Sequence, residues 1–117
     1  MRHSTAPLFA DGEDVGTVGY HEIVEASGLA ASHIHPGYLY THNDHGDGAH
    51  IYVINTSGHH EATITLHGVT SHDWEDIAVG KCANGSNYYC IYIGTYLTFT
   101  LSFTNLVYLY NIQGQFV

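Results

Sequence analysis

The densest group of side chains that could do chemistry is the acidic run Asp73-Trp74-Glu75-Asp76. In an extended strand, Asp73 and Glu75 would share one face, while Trp74 and Asp76 would share the other. Carboxylates this close repel one another unless a cation or hydrogen bonds intervene, and oxygen ligands of this kind suit calcium or magnesium. The structural alternative is that one acid caps backbone amides while Trp74 packs in a core. The sequence leaves both interpretations open.

A second polar run follows a predicted strand and reads His-Asn-Asp-His-Gly-Asp-Gly over residues 42–48. It matches a calcium-binding loop only loosely, because the EF-hand pattern fails and its twelfth position is Ile54 rather than a glutamate. His42 and Asp44 could serve there as metal ligands, or as a general base with its partner. A turn rich in Asn and Asp, without a ligand, is the structural alternative.

Eleven histidines are the most unusual feature of the composition. The pair His33-x-His35 would place two imidazoles on one face of a strand, and His59-His60 lies in a predicted turn. Such pairs can bind zinc, copper or nickel. No spacing completes a four-ligand set, so calcium is the favoured cofactor and zinc the less favoured one. Because histidine titrates near pH 6.5, mild acid could carry the net charge from −9 toward zero.

The two cysteines, Cys82 and Cys90, flank the turn-forming run Asn84-Gly85-Ser86-Asn87. A hairpin turn there would bring the cysteines opposite each other, close enough to form a disulfide. A disulfide indicates an oxidising compartment, so we expect an extracellular protein. The sequons at Asn55 and Asn84 are compatible with glycosylation, although each also reads as ordinary turn sequence.

The first residues contain no apolar segment typical of a signal peptide. We therefore expect either an intracellular protein or a chain that lacks its true start.

The charge balance argues against proteins that bind nucleic acid or anionic membranes, because eleven acids face only Arg2 and Lys81. No basic patch for nucleic acid can be built from two cations, and attraction to anionic membranes is disfavoured for the same reason.

Motifs for nucleophilic catalysis and nucleotide binding are missing from the sequence. It has no Gly-x-Ser-x-Gly elbow, and Gly46-Asp47-Gly48 is neither a P-loop nor a Rossmann fingerprint. The cysteines are better explained as a pair than as nucleophiles. Catalysis, if present, would have to rest on the acids and a bound ion.

Residues 1–19 read as a flexible polar arm, and short strands separated by turns follow it. A turn is predicted at His35-Pro36-Gly37, and no window supports a long amphipathic helix. Strands are predicted, with an uncertainty of a few residues, at 37–42, 50–55, 61–66, 77–80 and 90–94.

The tail, residues 95–117, carries no charged side chain. Residues 97–104 alternate strictly between apolar and polar, and Asn105 could turn the chain into a second strand at 106–110. An apolar, hairpin-like tail is therefore predicted. The rival interpretation is a membrane helix over 91–110, which the many Thr, Tyr and Asn residues weaken.

Residues 25–32 and 74–80 resemble each other, because each places an acid shortly before a Leu-Ala or Ile-Ala pair. Ala30 and Ala78 are 48 residues apart, and a four-stranded propeller blade takes roughly 40–50 residues. The spacing predicts an all-β protein in which residues 20–94 form one antiparallel blade and part of a second, a β-propeller fragment. Closed propellers need at least about four blades, so the unpaired sheet edge predicts self-association.

Three motifs carry a family resemblance: SGLAAS at 27–32, THND at 41–44 and DWEDIA at 73–78. On these motifs the chain resembles a family of largely uncharacterised secreted β-propeller proteins found in bacteria and some invertebrates. The resemblance implies a propeller fold and an extracellular setting, but little chemistry. Family members continue after the Tyr-Ile-Gly strand with an acidic segment and further blades. Here Gly94 is followed by an uncharged tail, so we expect a truncated or alternatively spliced product whose tail is not propeller sequence.

Three functional hypotheses follow. The first is an extracellular propeller-type module that binds a small ligand or a divalent ion. The second is a metal-assisted hydrolase whose acids hold a cation that activates water. The third is a histidine-rich binder of transition metals. Apart from the two histidine pairs, the candidate metal ligands are Glu25, His42, Asp44, Asp73, Glu75 and Asp76.

Overall fold

The computed structural model describes residues 6–44, 47–67, 74–82, 89–97 and 102–110. Within these ranges all regular secondary structure is β-strand, which confirms the predicted all-β class. The strands are β1 (Ala26–Ala31), β2 (Tyr38–Asn43), β3 (His50–Asn55), β4 (His60–Thr65), β5 (Trp74–Lys81), β6 (Tyr89–Leu97) and β7 (Ser102–Tyr110).

The strands form two antiparallel sheets, each a simple meander. The first sheet has the order β1-β2-β3-β4, and the second has the order β5-β6-β7. Strands β2 to β6 match the five predicted strands to within a few residues. This agreement arises because alternating apolar residues and turn-forming residues act over short distances along the chain.

The tail differs from the prediction in its strand boundaries and pairing, because Leu97 ends β6, and β7 runs from Ser102 to Tyr110 and pairs with β6. Asn105, expected to begin a turn, lies inside β7 and pairs with Gly94 of β6. The register of β6 against β7 runs without a break from Tyr89 to Leu97, and this pairing outweighs the weak strand propensity of one asparagine. The rival membrane helix over 91–110 is also wrong where the chain is described, because 91–97 and 102–110 are strands.

The two sheets begin with the same irregularity. In the β1–β2 pair the register shifts between Ala26 and Gly28, and in the β5–β6 pair it shifts between Trp74 and Asp76. The two bulges are 48 residues apart, the same spacing as Ala30 to Ala78. Bulges are positioned features rather than defects, so the internal repeat detected in the sequence exists as a repeated bulged hairpin.

The core lies between the sheets. Tyr40, Ile51 and Leu66 from the first sheet and its flank meet four large side chains of the second sheet. These four are Trp74, Ile77, Ile91 and Ile93, and none is more than 5% exposed. Burying an apolar side chain of this size contributes about 1.5–3 kcal/mol, so the contact between the sheets is the main source of stability.

The bulge changes which faces the acids occupy. The prediction placed Trp74 and Asp76 on one face, but Trp74 is 1% exposed whereas Glu75 and Asp76 are both exposed. Two exposed residues lie between the buried Trp74 and Ile77 because the bulge inserts one extra residue into the strand. The simple alternation assumed from the sequence is therefore wrong at this point.

The histidines of the pair His33-x-His35 are not on a strand. They lie in the connection between β1 and β2, where Ser32 Oγ accepts hydrogen bonds from the backbone N–H of Ile34 and His35. The predicted turn closes there through a 3.2 Å bond from Tyr38 N–H to the His35 carbonyl, and Gly37 takes a φ of 89°. The predicted two-imidazole strand face is thus wrong, because turn chemistry ends β1 first.

Cys82 and Cys90 form a disulfide, as predicted from the turn-forming run between them. It joins the residue that follows β5 to the second residue of β6, and both cysteines are buried.

Residues 6–19 contain no regular secondary structure, but their last part is in contact with the first sheet. Gly58, with a φ of 88°, is buried beneath the backbone of Thr17, and a Cβ on Gly58 would lie 2.5 Å from the Thr17 carbonyl oxygen. In the part of the chain that the structure describes, no helix could cross a membrane.

Candidate functional site

Three consecutive polar residues at the end of β2 are buried. Thr41, His42 and Asn43 are between 0% and 3% exposed, although polar side chains are normally found at the surface. Thr41 Oγ1 donates a 2.6 Å hydrogen bond to the Gly28 carbonyl across the β1–β2 pair. The THND motif therefore lies inside the structure, next to the bulged start of β1.

Asn43 fixes the chain that precedes β1. Its Oδ1 accepts 3.0 Å hydrogen bonds from the backbone N–H of Val24 and Glu25, and its Nδ2 donates to the Glu22 carbonyl and to Asp47. All four bonding positions of the amide are thus used. The Asp44 N–H donates to the Glu25 carbonyl at 2.9 Å, which places these two predicted ligands next to each other.

His42 lies at the contact between the two sheets. Its Nδ1 donates to the Asn43 carbonyl at 3.1 Å, and its ring meets that of Trp74 edge-on with 5.8 Å between centroids. Only a glycine fits beside it, because a Cβ on Gly28 would lie 2.6 Å from His42 Nε2. Ser27 Oγ completes the contact by donating to the Trp74 carbonyl at 2.8 Å.

Two polar atoms at this contact have no hydrogen-bond partner among the residues that the structure describes: His42 Nε2 and Trp74 Nε1. A buried polar atom without a partner is destabilising, and a charge on that atom would be more so. Burial accordingly lowers the pKa of His42, although the Asn43 carbonyl and the carboxylates of Asp44, Asp76 and Glu75 act in the opposite direction. The imidazole is therefore neutral in the folded protein at neutral pH.

This environment makes stability depend on pH. The unfolded chain binds a proton at His42 near pH 6.5, whereas the folded chain binds it only at lower pH. The contribution of the neutral His42 to the free energy of unfolding is therefore fully present above about pH 6.5, and it is lost as the pH falls toward the lowered pKa of His42. We expect a His42→Gln variant, measured by urea unfolding between about pH 7.5 and pH 5, to lose less stability on acidification than the wild type.

The matched control is His35→Gln, which removes an exposed imidazole. It should reproduce the pH dependence of the wild type. Equal pH slopes for the wild type and the His42→Gln variant would contradict the assignment of the acid sensitivity to His42.

The candidate acids lie around this contact at the surface. Glu25, Glu75 and Asp76 are exposed and Asp44 is half-buried, and three of the four carboxylates act on the pKa of His42. Asp73 lies outside the described residues. The structure thus brings Asp44, Glu75 and Asp76 within electrostatic range of one imidazole, while Glu25 adjoins Asp44 through the backbone.

These residues do not form a closed metal site. Among the residues that the structure describes, no group of three or more His, Cys, Asp or Glu side chains is arranged to hold a metal ion. The imidazoles are also dispersed, since His60 stacks on Tyr20 with 3.7 Å between centroids and His33 lies beside Tyr89. A cation bound here would take further oxygen ligands from backbone carbonyls, water or another molecule.

Asp47 is at the centre of a polar network that was not predicted from the sequence. Tyr52, which is 0% exposed, donates a 2.5 Å hydrogen bond to Asp47 Oδ2, and His50 Nδ1 lies 3.1 Å from Oδ1. Burial works to raise the pKa of Asp47, but bonds from Tyr52, Asn43 and His50 outweigh it and hold the pKa below its usual range. Burial and the Asp47 carboxylate raise the pKa of Tyr52. The network ties the loop after β2 to β3.

Comparison with family models, with curated proteins and with solved structures finds no match to this chain. The resemblance to secreted propeller proteins stays a prediction.

Asn55, one predicted glycosylation residue, organises the β3–β4 turn. Its Oδ1 accepts bonds from Ser57 N–H, Ser57 Oγ and His59 N–H, and its Nδ2 donates to Glu61 at 3.2 Å. A glycan on Nδ2 would have to displace this last bond. Asn84, the other predicted residue, lies outside the described residues.

Proposed function

We propose that this chain is an extracellular binding module built from consecutive β-propeller blades, with its ligand at the acidic end of β1 and β5. The observation that carries the proposal is the repeated bulged hairpin, since β1 and β5 start with the same bulge at equivalent positions. These strands also lie against each other, linked by the Ser27–Trp74 hydrogen bond. Consecutive blades of a propeller pack their sheets face to face in this manner.

A divalent cation is the ligand that best fits this end. Asp44, Glu75 and Asp76 are each within electrostatic range of His42, and Glu75 and Asp76 are exposed to solvent. Because Ca²⁺ takes six to eight oxygen ligands, carboxylates from these strands would supply part of its shell. The same cation would relieve the repulsion between neighbouring carboxylates, and the net charge of −9 favours its approach.

The disulfide supports the extracellular part of the proposal. Cys82 and Cys90 are paired, and such bonds persist mainly in oxidising compartments.

Titration calorimetry with calcium tests the ligand. We expect the full chain to bind Ca²⁺, and a Glu75→Gln or Asp76→Asn variant to bind it at least about tenfold more weakly. The matched control is Glu13→Gln, which removes one exposed carboxylate far from these strands in sequence. It should leave the affinity unchanged.

The other outcomes separate the alternatives. No heat on adding calcium would overturn the calcium site, and no heat on adding either calcium or zinc would leave an interaction module without a cation. The hydrolase hypothesis also requires turnover of an ester, lactone or phosphoester, and no turnover across such a panel would remove it. Zinc binding that survives Glu75→Gln and disappears below about pH 6 would instead support the histidines as ligands.

A further inference from the structure

The two faces of the first sheet differ in what covers them. The inner face, which carries Ala30, Tyr40 and Ile51, packs against the second sheet. The outer face carries the alternating side chains, among them Leu29 and Leu39. Leu29 is 60% exposed, and an apolar groove of about 410 Å³ runs along this face beneath residues 15–18. An exposed apolar face of this kind is typical of an interaction surface.

The second sheet is the second copy of the repeat, and the face of it that is equivalent to this outer face packs against a neighbouring sheet. In the first sheet Leu29 pairs with Thr41, and Ala31 pairs with Leu39. In the second sheet the equivalent pairs after the bulge are Ile77 with Ile93 and Val79 with Ile91. Ile77, Ile91 and Ile93 are buried against the inner face of the first sheet. The outer face of the first sheet is therefore, position by position, the face through which the second sheet binds its neighbour.

The receiving surface is also repeated. Ala30 pairs with Tyr40 on the inner face of the first sheet, where Tyr40 is 6% exposed beneath the second sheet. At the equivalent register of the second sheet, Ala78 pairs with Tyr92. Here Ala78 is exposed and Tyr92 only half-buried, beside a shallow depression that also borders Gly94. The second sheet thus covers the Ala30–Tyr40 pair, whereas no sheet in the described part of the chain covers the equivalent Ala78–Tyr92 pair.

We propose that the outer face of the first sheet of one copy docks on the Ala78–Tyr92 face of a second copy. The contact repeats between chains the packing that joins the two sheets within one chain. Among the described residues, no sheet packs on either of these two faces, so the contact is head to tail, and head-to-tail contacts close into rings when the rotation permits. Closed propellers hold about four to eight blades, so two sheets per chain give rings of about two to four copies.

This association differs from pairing at a sheet edge. Edge pairing would use the free backbone groups of an edge strand, β1 or β4 in the first sheet. It would not involve Tyr92, which lies in the central strand β6 of the second sheet. Residues 15–18 cover part of the groove, and docking would displace them or seat them between the copies. The proposal does not depend on cation binding, which the calorimetry above measures separately.

Sedimentation velocity on the full chain, over a concentration series, tests the proposal. We expect the wild type to sediment as about two to four copies. Leu29→Glu on one face, or Tyr92→Glu on the other, should reduce it to a monomer. Val24→Glu, at a residue that is 71% exposed and lines neither face, should leave its size unchanged. Because Ala78 is exposed, Ala78→Arg offers a second monomeric variant should Tyr92→Glu fail to fold by circular dichroism.

Mixing the two kinds of variant gives the sharpest result. A Leu29→Glu chain keeps its second-sheet face, and an Ala78→Arg chain keeps its first-sheet face, so the mixture should form a heterodimer that cannot grow. A monomeric wild type overturns the proposal, as does a mixture that stays monomeric. An oligomer that survives both substitutions also overturns it and assigns the contact to a sheet edge.

Discussion

Truncating Trp74 to alanine is expected to lower the free energy of unfolding by about 3–5 kcal/mol. The indole is 1% exposed and belongs to the core between the sheets. Removing it leaves a cavity next to His42 and takes away the largest side chain that the second sheet inserts. Because Trp74 is the single tryptophan, the urea midpoint should be followed by far-ultraviolet circular dichroism rather than by fluorescence.

Two further variants separate packing from polarity at this position. Trp74→Phe keeps an aromatic ring and removes an N–H that has no partner within the described ranges of the chain, so it should lower stability much less than the alanine variant. Phe9→Ala truncates an aromatic ring that is 88% exposed, and it should change stability by at most about 0.5 kcal/mol. A Trp74→Ala variant as stable as Phe9→Ala would show that the sheets do not share a core in solution.

Removing the disulfide is expected to have the second largest effect. The double substitution of Cys82 and Cys90 by alanine should lower the free energy of unfolding by about 2–3 kcal/mol. The two cysteines are separated by 8 positions in the sequence. Closing a loop of this length lowers the conformational entropy of the unfolded chain, and this magnitude is the corresponding free energy. Urea midpoints at a constant slope give the difference.

The matched control is the wild type under reducing conditions, which should unfold at the same midpoint as the double variant. Two titratable thiols in the denatured, unreduced wild type would contradict the disulfide itself. A difference below about 0.5 kcal/mol would contradict its contribution to stability.

The polar residues of the THND motif illustrate how a motif can suggest ligands yet fold into a core. His42 is a candidate ligand by sequence because it ends a predicted strand and precedes two Asx residues. In the structure His42 is fully buried, and the side-chain amide of Asn43 forms hydrogen bonds with the backbone before β1. The acids that accompany the motif remain at the surface, where they carry the proposed ligand site.

The all-β class, the positions of β2 to β6, the turn at His35-Pro36-Gly37 and the disulfide could be predicted from the sequence. Each of these depends on alternation or turn chemistry among residues only a few positions apart, so local physics is sufficient. The 48-residue repeat could also be predicted from the sequence, because the two copies keep similar side chains.

The arrangement of the candidate site depends instead on contacts between residues that are distant in the sequence. The two bulges set which acids are exposed, and they follow from strand pairing that alternation does not encode. The burial of His42 depends on Trp74, and the Ser27–Trp74 bond joins residues 47 positions apart. Asn105 was assigned to a turn by its own propensity, yet pairing with β6 keeps it in a strand. Contacts between distant residues outweigh local preference in each case, because burial and pairing contribute more free energy than single-residue propensities.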